Sequence, residues 1–237
     1  MSPAEPPWRT PPARRAAKPR LSQDLVVRTG LEVLVAEGLE AVSMRRVAQA
    51  LDTGPASLYA HVATKDELVE LMLDQVLEEV PLPAPDPDRW RGQVKELLCG
   101  QVAAMHRYPG IAKVAWQVLV PVGPNALRHG EALLSLLRAG GLSLRHAAYA
   151  ADALALYTKA FAYEGSLWVS GALDPAEVEA RGRRMAEYMG SLPSGTFANM
   201  LGTGELFTAE TAAERFEFGL DMLLGGLAAV SERQPPP

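Results

Sequence analysis

Residues 43–65 read SMRRVAQALDTGPASLYAHVATK, and this stretch decides the fold of the N-terminal part of the chain. Two short apolar stripes of helical spacing stand on either side of a three-residue break at positions 52–54. Pro55 follows the break, where the first residue of a helix tolerates its missing N–H. The pattern predicts two short helices joined by a tight turn, the first of them starting at Ser43. The predicted buried positions are Met44, Val47, Ala48, Leu51, Leu58 and Val62.

The side chains that this packing leaves outward are of the types that contact DNA. A three-residue turn sets the second helix across the first, so that it can enter a major groove about 12 Å wide. Ser57 can bond a base edge, Ala56 can contact a thymine methyl group, and Tyr59 can donate to a phosphate oxygen. The outward set is Arg45, Arg46, Ala56, Ser57, Tyr59, Ala60, His61 and Lys65. Two alternatives to DNA contact stay open. Tyr59 could be half-buried in the core, and Arg45 and Arg46 could simply form a solvated helix face.

Helix signals continue on both sides of this segment. Ser22 is a good N-cap for a first helix, with an apolar stripe that includes Val35, and Gly38 supplies its end. Thr64 and Glu67 have the spacing of a capping box, in which each side chain bonds the other's backbone N–H. Prolines at 81, 83, 85 and 87 then end the fourth helix and mark a boundary.

The remainder of the chain also shows helical patterns. We expect helices near 89–107, 111–119, 125–140, 144–169, 174–190 and 208–231, with a Gly-, Ser- and Thr-rich loop at 190–204. No alternating strand pattern appears, so the predicted fold class is all-α. The expected organisation is a flexible basic arm at 1–20, a helix-turn-helix DNA-binding domain with a connecting fourth helix at 21–80, and a larger helical domain at 88–232.

Charge is distributed unevenly along the chain. The formal net charge is -5, yet residues 1–20 hold five basic residues against one acidic, and residues 41–65 hold three against one. Basic charge concentrated on one part of a chain is typical of a phosphate-binding surface. A solubilising disordered tail is the alternative for the first segment.

Cysteine and hydropathy restrict the class of protein. The single Cys99 excludes an internal disulfide and a cysteine metal cluster, which fits a reducing cytoplasm. No apolar run opens the chain, and none reaches the roughly 18 residues of a membrane span. We therefore expect a cytoplasmic protein with no membrane partner, no metal and no cofactor.

With these residues in place, the chain resembles the TetR family of repressors over roughly residues 22–80. The residues Leu58, Tyr59, His61 and Lys65 carry the most specific part of the resemblance. By position, the resemblance implies DNA contacts from Ser43 together with Arg45, Ala56, Ser57, Tyr59, His61 and Lys65. The sequence departs from the family at Asp52, where a glycine is usual, although Asp tolerates a left-handed conformation better than most residues.

The larger domain resembles that of the family branch that includes the tetracycline repressor. The resemblance rests on residues 88–90, 141–149 and 218–227. It implies a helical ligand-binding domain and a homodimer formed through two long helices, here 144–169 and 208–231. Small residues on these helices would let them approach closely, either between or within subunits: Ala147, Ala151, Ala155, Gly219 and Gly226.

A small-molecule effector follows from the same resemblance, but tetracycline itself does not fit, because Leu97, Leu98 and Ala115 stand where the drug-binding member has its polar ligands. Pockets are mostly apolar with a few polar groups. The predicted ligand-binding residues are His106, Trp116, Gln117, Tyr157, Phe161 and Trp168. Each of the aromatic residues has plain core packing as its alternative.

The expected function is a ligand-responsive repressor that binds a palindromic operator as a homodimer and is released by a small hydrophobic effector. One alternative is a constitutive DNA-binding protein without an effector. The other is a helical enzyme or carrier, which the sequence disfavours because it contains no phosphate loop, nucleophile elbow or metal-ligand spacing.

Overall fold

The structure is a computed structural model that describes residues 20–118, 120–169, 173–193, 195–203, 206–208 and 210–233. Within these ranges the chain is all-α and forms no strand, which confirms the fold class expected from the sequence. Apart from Arg20, the predicted basic arm lies outside the described residues.

Four helices form the N-terminal unit: α1 (Gln23–Glu37), α2 (Met44–Ala50), α3 (Pro55–Leu58) and α4 (Lys65–Glu78). The hydroxyls of Ser22 and Ser43 accept backbone N–H groups at 3.2 and 3.1 Å, so both residues are the N-caps that the sequence predicted. Gly38 ends α1 with a φ of 85°. A 3-10 turn at Leu39–Ala41, which the sequence analysis did not predict, leads into α2.

The capping box before α4 differs from expectation in one bond. The Thr64 hydroxyl accepts the Glu67 N–H at 3.0 Å, as predicted. The Glu67 carboxylate, however, accepts the N–H of Ala63 rather than that of Thr64. The helix start is still satisfied from both sides, one residue earlier than the motif implies.

The core of this unit forms where α1 packs against α4 and α2, and α2 packs against α3. The predicted positions Met44, Val47, Ala48, Leu58 and Val62 are buried, and Leu51 is half-buried. Val35 is 54% exposed, so its predicted place in the buried stripe of α1 is wrong. The other predicted stripe residues Val27, Leu31 and Leu34 are buried, as is Val33, so the buried face of α1 lies where the sequence predicted it apart from Val35.

The second unit has seven helices in the described ranges: α5 (Trp90–Arg107), α6 (Ile111–Gln117), α7 (Pro124–Ala139), α8 (Leu144–Val169), α9 (Pro175–Gly190), α10 (Ala198–Leu201) and α11 (Ala212–Arg233). Six of them match the predicted helices to within a few residues. The exception is α10, one turn inside the predicted loop. Helix α8 is central and packs against α5, α6, α7 and α11.

Helix α4 joins the two units. It packs against α1 on one side and against α6, α7 and α5 on the other. Buried side chains accordingly form one continuous cluster that extends from α1 to α11. A movement of the second unit therefore acts on α4, which packs against α1, and α1 in turn packs against α2.

The small residues of α8 and α11 divide between two roles. Ala147 is buried within the subunit, and a Cβ at Gly219 would lie 2.1 Å from the Tyr157 hydroxyl oxygen. Gly219 therefore serves close packing of α11 on α8. Gly226 is exposed with no heavy atom near its missing Cβ, so it leaves a face of α11 open.

Candidate nucleic-acid interface and internal cavity

The turn between α2 and α3 depends on a left-handed residue. Asp52 has a φ of 49°, and among the described residues it is the one non-glycine with a positive φ. The turn closes through the Thr53 N–H, which donates to the Ala48 carbonyl at 2.9 Å. Asp thus replaces the usual glycine without loss of the turn, as the sequence analysis expected.

Helix α3 is a single turn held by its buried face. It begins at Pro55, and Leu58 is fully buried beneath it. The opposite face is open: Ala56 and Ser57 are exposed, and Tyr59 is 55% exposed. A half-core position for Tyr59 is therefore excluded in this protomer. Small, hydroxyl and phenol groups together form an outward surface that can meet base edges and phosphates.

The other predicted DNA-binding residues surround this surface. Lys65 is the first residue of α4 and is exposed, while His61 is half-buried and its carbonyl accepts the Gln23 side-chain N–H at 3.2 Å. Ser43 already accepts the Arg46 N–H, so its hydroxyl has a structural task in addition to any DNA contact.

The two arginines of α2 differ in their surroundings. Arg45 is exposed. Arg46 is bound to Glu37 of α1, with its Nε 3.0 Å from each carboxylate oxygen. The hydrogen bond to Arg46 holds the pKa of Glu37 below its ordinary value, and the same bond raises the pKa of Arg46. Of the pair, Arg45 is the one available to phosphate in this conformation.

A cavity of about 400 Å³, partly open to solvent, lies between α4 of the first unit and α5, α6, α7 and α8 of the second. This volume falls in the range of small-molecule sites. The lining residues are mostly apolar or small: Leu73, Leu77, Leu98, Gln101, Met105, Ala115, Val118, Pro121, Ala126, His129, Gly130, Leu133, Leu134, Ala148, Ala151, Asp152, Ala155, Thr158 and Lys159. A second cavity of about 250 Å³ adjoins it and shares Leu73, Val118, Pro121 and Ala126.

A buried histidine connects the cavity wall to α4. The Gln101 side chain lies 2.9 Å from His129 Nδ1, and His129 Nε2 lies 2.9 Å from the Leu77 carbonyl. An amide N–H donates to Nδ1, so Nε2 carries the proton and donates to Leu77. Burial lowers the pKa of His129, although the bond to Leu77 partly opposes this effect. The neutral ring therefore bonds α5, α7 and the end of α4 together.

A second polar link joins the middle of α4 to the start of α7. Asp74 is 7% exposed, and its carboxylate accepts the Ala126 N–H at 2.8 Å and the Asn125 side-chain N–H at 2.9 Å. The N-cap residue of α7 is Gly123, which has no side chain of its own. Asp74 supplies that cap from another helix, and sequence reasoning missed it because no local motif signals it.

None of the six predicted ligand-binding residues lines the 400 Å³ cavity. Tyr157 and Phe161 pack on Phe216 of α11, and His106 lies 3.3 Å from the Ala162 carbonyl. Gln117 and Trp168 are exposed, and the half-exposed Trp116 stacks on Tyr163 with ring centroids 6.3 Å apart.

The cavity-facing side of α8 follows from helical spacing. Successive residues of a helix point about 100° apart, so the aromatic residues of α8 face away from its cavity side. That side carries Ala148, Ala151, Asp152, Ala155 and Lys159. The sequence signal that could have identified this side of α8 is a row of small residues at spacings of three and four, together with one lysine.

Among the described residues no group of three His, Cys, Asp or Glu side chains is arranged to hold a metal ion. In the same part of the chain no helix is long and apolar enough to cross a membrane.

Comparison with known proteins gives two family matches. Residues 26–72 match the model of bacterial regulatory proteins of the tetR family, and residues 82–231 match the tetracyclin repressor-like C-terminal domain. An HTH-type transcriptional regulator of Saccharopolyspora erythraea is 32% identical over 161 residues, which is 68% of each chain.

A repressor and a solved structure extend this comparison. The HTH-type transcriptional repressor DrrR1 of Streptomyces coeruleorubidus is 40% identical over 130 residues, 54% of this chain and 48% of its own length. The crystal structure of the Streptomyces coelicolor TetR family protein ActR in complex with actinorhodin contains a chain whose sequence is 40% identical to this one. It superposes with a TM-score of 0.79 over 89% of this chain and 97% of ActR.

Proposed function

The chain belongs to the tetR family of bacterial regulatory proteins and is a transcriptional repressor of that family; we propose that it binds a palindromic operator as a homodimer and leaves it when a small hydrophobic effector occupies the internal cavity. The observation that carries this proposal is the position of α4. One end of that helix follows α3 directly, and its other end forms a wall of the cavity.

The DNA-binding half rests on the outward surface of α3. Ser57 and Tyr59 are exposed, while Leu58 between them is buried and fixes the helix. In a two-fold dimer, two copies of α3 would contact half-sites one helical turn apart, about 34–36 Å. Arg45 and Lys65 would bind phosphates beside this surface and fix its register.

The homodimer is supported by apolar surface that one protomer leaves uncovered. Helix α9 buries none of its residues, although Val178, Met185 and Tyr188 are large and apolar. On α11, Phe218 and Met222 are more than 60% exposed and lie one turn apart, close to the open Gly226. Contiguous exposed apolar groups of this kind are typical of subunit interfaces.

The effector half rests on the cavity. A domain with a filled core would favour the alternative of a constitutive DNA-binding protein, whereas a mostly apolar space of about 400 Å³ favours a ligand. The related ActR was crystallised with actinorhodin, which supports a small-molecule effector here as well. An effector that presses on Leu73 or Leu77 would move α4 and change the spacing of the two α3 helices.

The experiment is a gel shift with DNA from upstream of the protein's own gene and with random duplex at the same salt concentration. The affinity of a specific repressor for the upstream DNA exceeds its affinity for the random duplex by about 10³-fold or more. Ser57→Ala should lower specific affinity by about tenfold. Ser135→Ala makes the same change on α7, outside α3, and should leave it unaltered. Equal affinity for both duplexes would contradict the proposal.

The effector is tested by thermal-shift screening of hydrophobic metabolites and antibiotics, repeated with operator DNA. A true effector raises the melting temperature of the free protein and weakens the DNA complex, because the two linkages are reciprocal. If compounds that bind the cavity leave operator affinity unchanged, the constitutive alternative is favoured.

A further inference from the structure

One charged side chain in the wall of the cavity forms no ion pair with the described residues. Lys159 of α8 is half-buried and faces the cavity. Its Nζ lies 3.5 Å from the Val118 carbonyl oxygen, at the limit of a hydrogen bond. In the part of the chain that the structure describes, no carboxylate comes within 4.0 Å of this Nζ. An ammonium group has three donors, so most of its bonding capacity is unused.

Other lysines of the described chain show the contrast. Lys95 lies 2.9 Å from Asp221 and 3.5 Å from Glu217, and Lys113 lies 3.0 Å from Glu40. Each of these two lysines therefore has a carboxylate partner. Of the three half-buried lysines, Lys159 is the one without an ion pair.

Enclosure makes this charge costly. Burial lowers the pKa of Lys159, and the Asp152 carboxylate two turns earlier on α8 opposes that effect without forming an ion pair. A charge taken partly out of water needs an opposite charge or full hydrogen bonding to be stable. The protein supplies only a long hydrogen bond to the Val118 carbonyl and a carboxylate beyond ion-pair distance, so the site is suited to an anionic partner that enters from outside.

We propose that the effector is an organic anion, with a carboxylate or equivalent anionic oxygen that pairs with Lys159 and an apolar body that fills the rest of the cavity. This inference rests on the proposed function, since it specifies the chemistry of the same site. Ala148, Ala151 and Ala155 leave space along α8 for the apolar body. Asp152 lines the same wall and would repel an anion bound away from Lys159.

The test uses matched probes that differ only in charge. Benzoic, 2-naphthoic and anthracene-2-carboxylic acids are each compared with their neutral primary amides, by calorimetric titration of the full-length protein at pH 7. We expect the acid of at least one pair to bind about tenfold or more tightly than its amide. Lys159→Met should remove that preference, and Lys159→Arg should retain it. Lys113→Met, a change outside the cavity wall, should leave it intact.

The outcomes separate this inference from the function on which it rests. If no acid binds more tightly than its amide, or if Lys159→Met keeps the preference, the inference is overturned. Melting temperatures of the variants show whether each is folded. Operator binding is measured separately: a preference for acids with no release of operator supports the role of Lys159 and contradicts effector-controlled repression. Release of operator by neutral compounds alone supports repression and overturns the anion.

Discussion

The carboxylate of Asp74 on α4 accepts the backbone N–H of Ala126 in the first turn of α7, over 2.8 Å. A buried acid on one helix thereby caps the positive end of another, where Gly123 provides no side chain. The first helix follows α3 along the chain, and the second forms a wall of the cavity. The link fixes the position of α4 relative to the ligand-binding unit.

Replacement of Asp74 by alanine should lower the free energy of unfolding by about 2–3 kcal/mol. The change leaves half-buried N–H groups of Asn125 and Ala126 without their acceptor. Denaturant unfolding followed by circular dichroism measures the effect. Glu78→Ala, an exposed change on the same helix, should stay within about 0.5 kcal/mol of wild type. Equal effects of the two changes would show that the cap contributes little.

Alanine at Gly123 should also destabilise the protein, because its Cβ would lie 2.1 Å from Asp74 Oδ1 and displace the carboxylate. Gly130→Ala is the matched control, since it lies inside α7 with no atom near the added methyl group. That control should be neutral or stabilising by about 0.5–1 kcal/mol. In the double variant with Asp74→Ala, the cost of Gly123→Ala should largely disappear. Strict additivity would disprove the contact.

The two arginines of α2 should separate DNA binding from folding. Arg45→Ala should weaken operator binding and reduce the slope of log affinity against log salt by about 1, because a phosphate contact is lost. Arg46→Ala should change the salt slope less, since Arg46 is engaged with Glu37. Affinity measured at four salt concentrations gives both slopes. The prediction fails if Arg46→Ala reduces the slope as much as Arg45→Ala.

Acidification should destabilise the link through His129. Its pKa is lowered in the folded chain, chiefly by burial, so the folded state favours the neutral ring. The Asp74 carboxylate opposes this shift and Arg128 adds to it. Stability from this site is present above the unfolded value near 6.5 and is lost as the pH falls through the lower folded pKa.

Unfolding free energies at pH 8 and at pH 5 test this prediction. His129→Phe should show a smaller decrease between the two pH values than wild type does, because the variant has no ring to protonate there. The same decrease in both proteins would assign the pH dependence to other groups.

Local features were predictable from the sequence, and tertiary ones were not. Ser22, Ser43 and Pro55 define helix starts through bonds within four residues, so each position was predicted correctly. The left-handed turn at Asp52 is also a local feature, and the sequence was sufficient to expect it. The cavity is formed by side chains from five helices, whereas the ligand-binding prediction favoured aromatic residues, of which Tyr157 and Phe161 pack on α11 instead.

Helix α9 has a consequence for how the protein is degraded. It buries no residue within one protomer, and it carries Arg181, Arg183 and Arg184, each a cleavage site for trypsin. If a second subunit covers this helix, limited proteolysis at these arginines should slow as total protein concentration rises. The cleavage rate would then report the fraction of protein that is assembled, without a label.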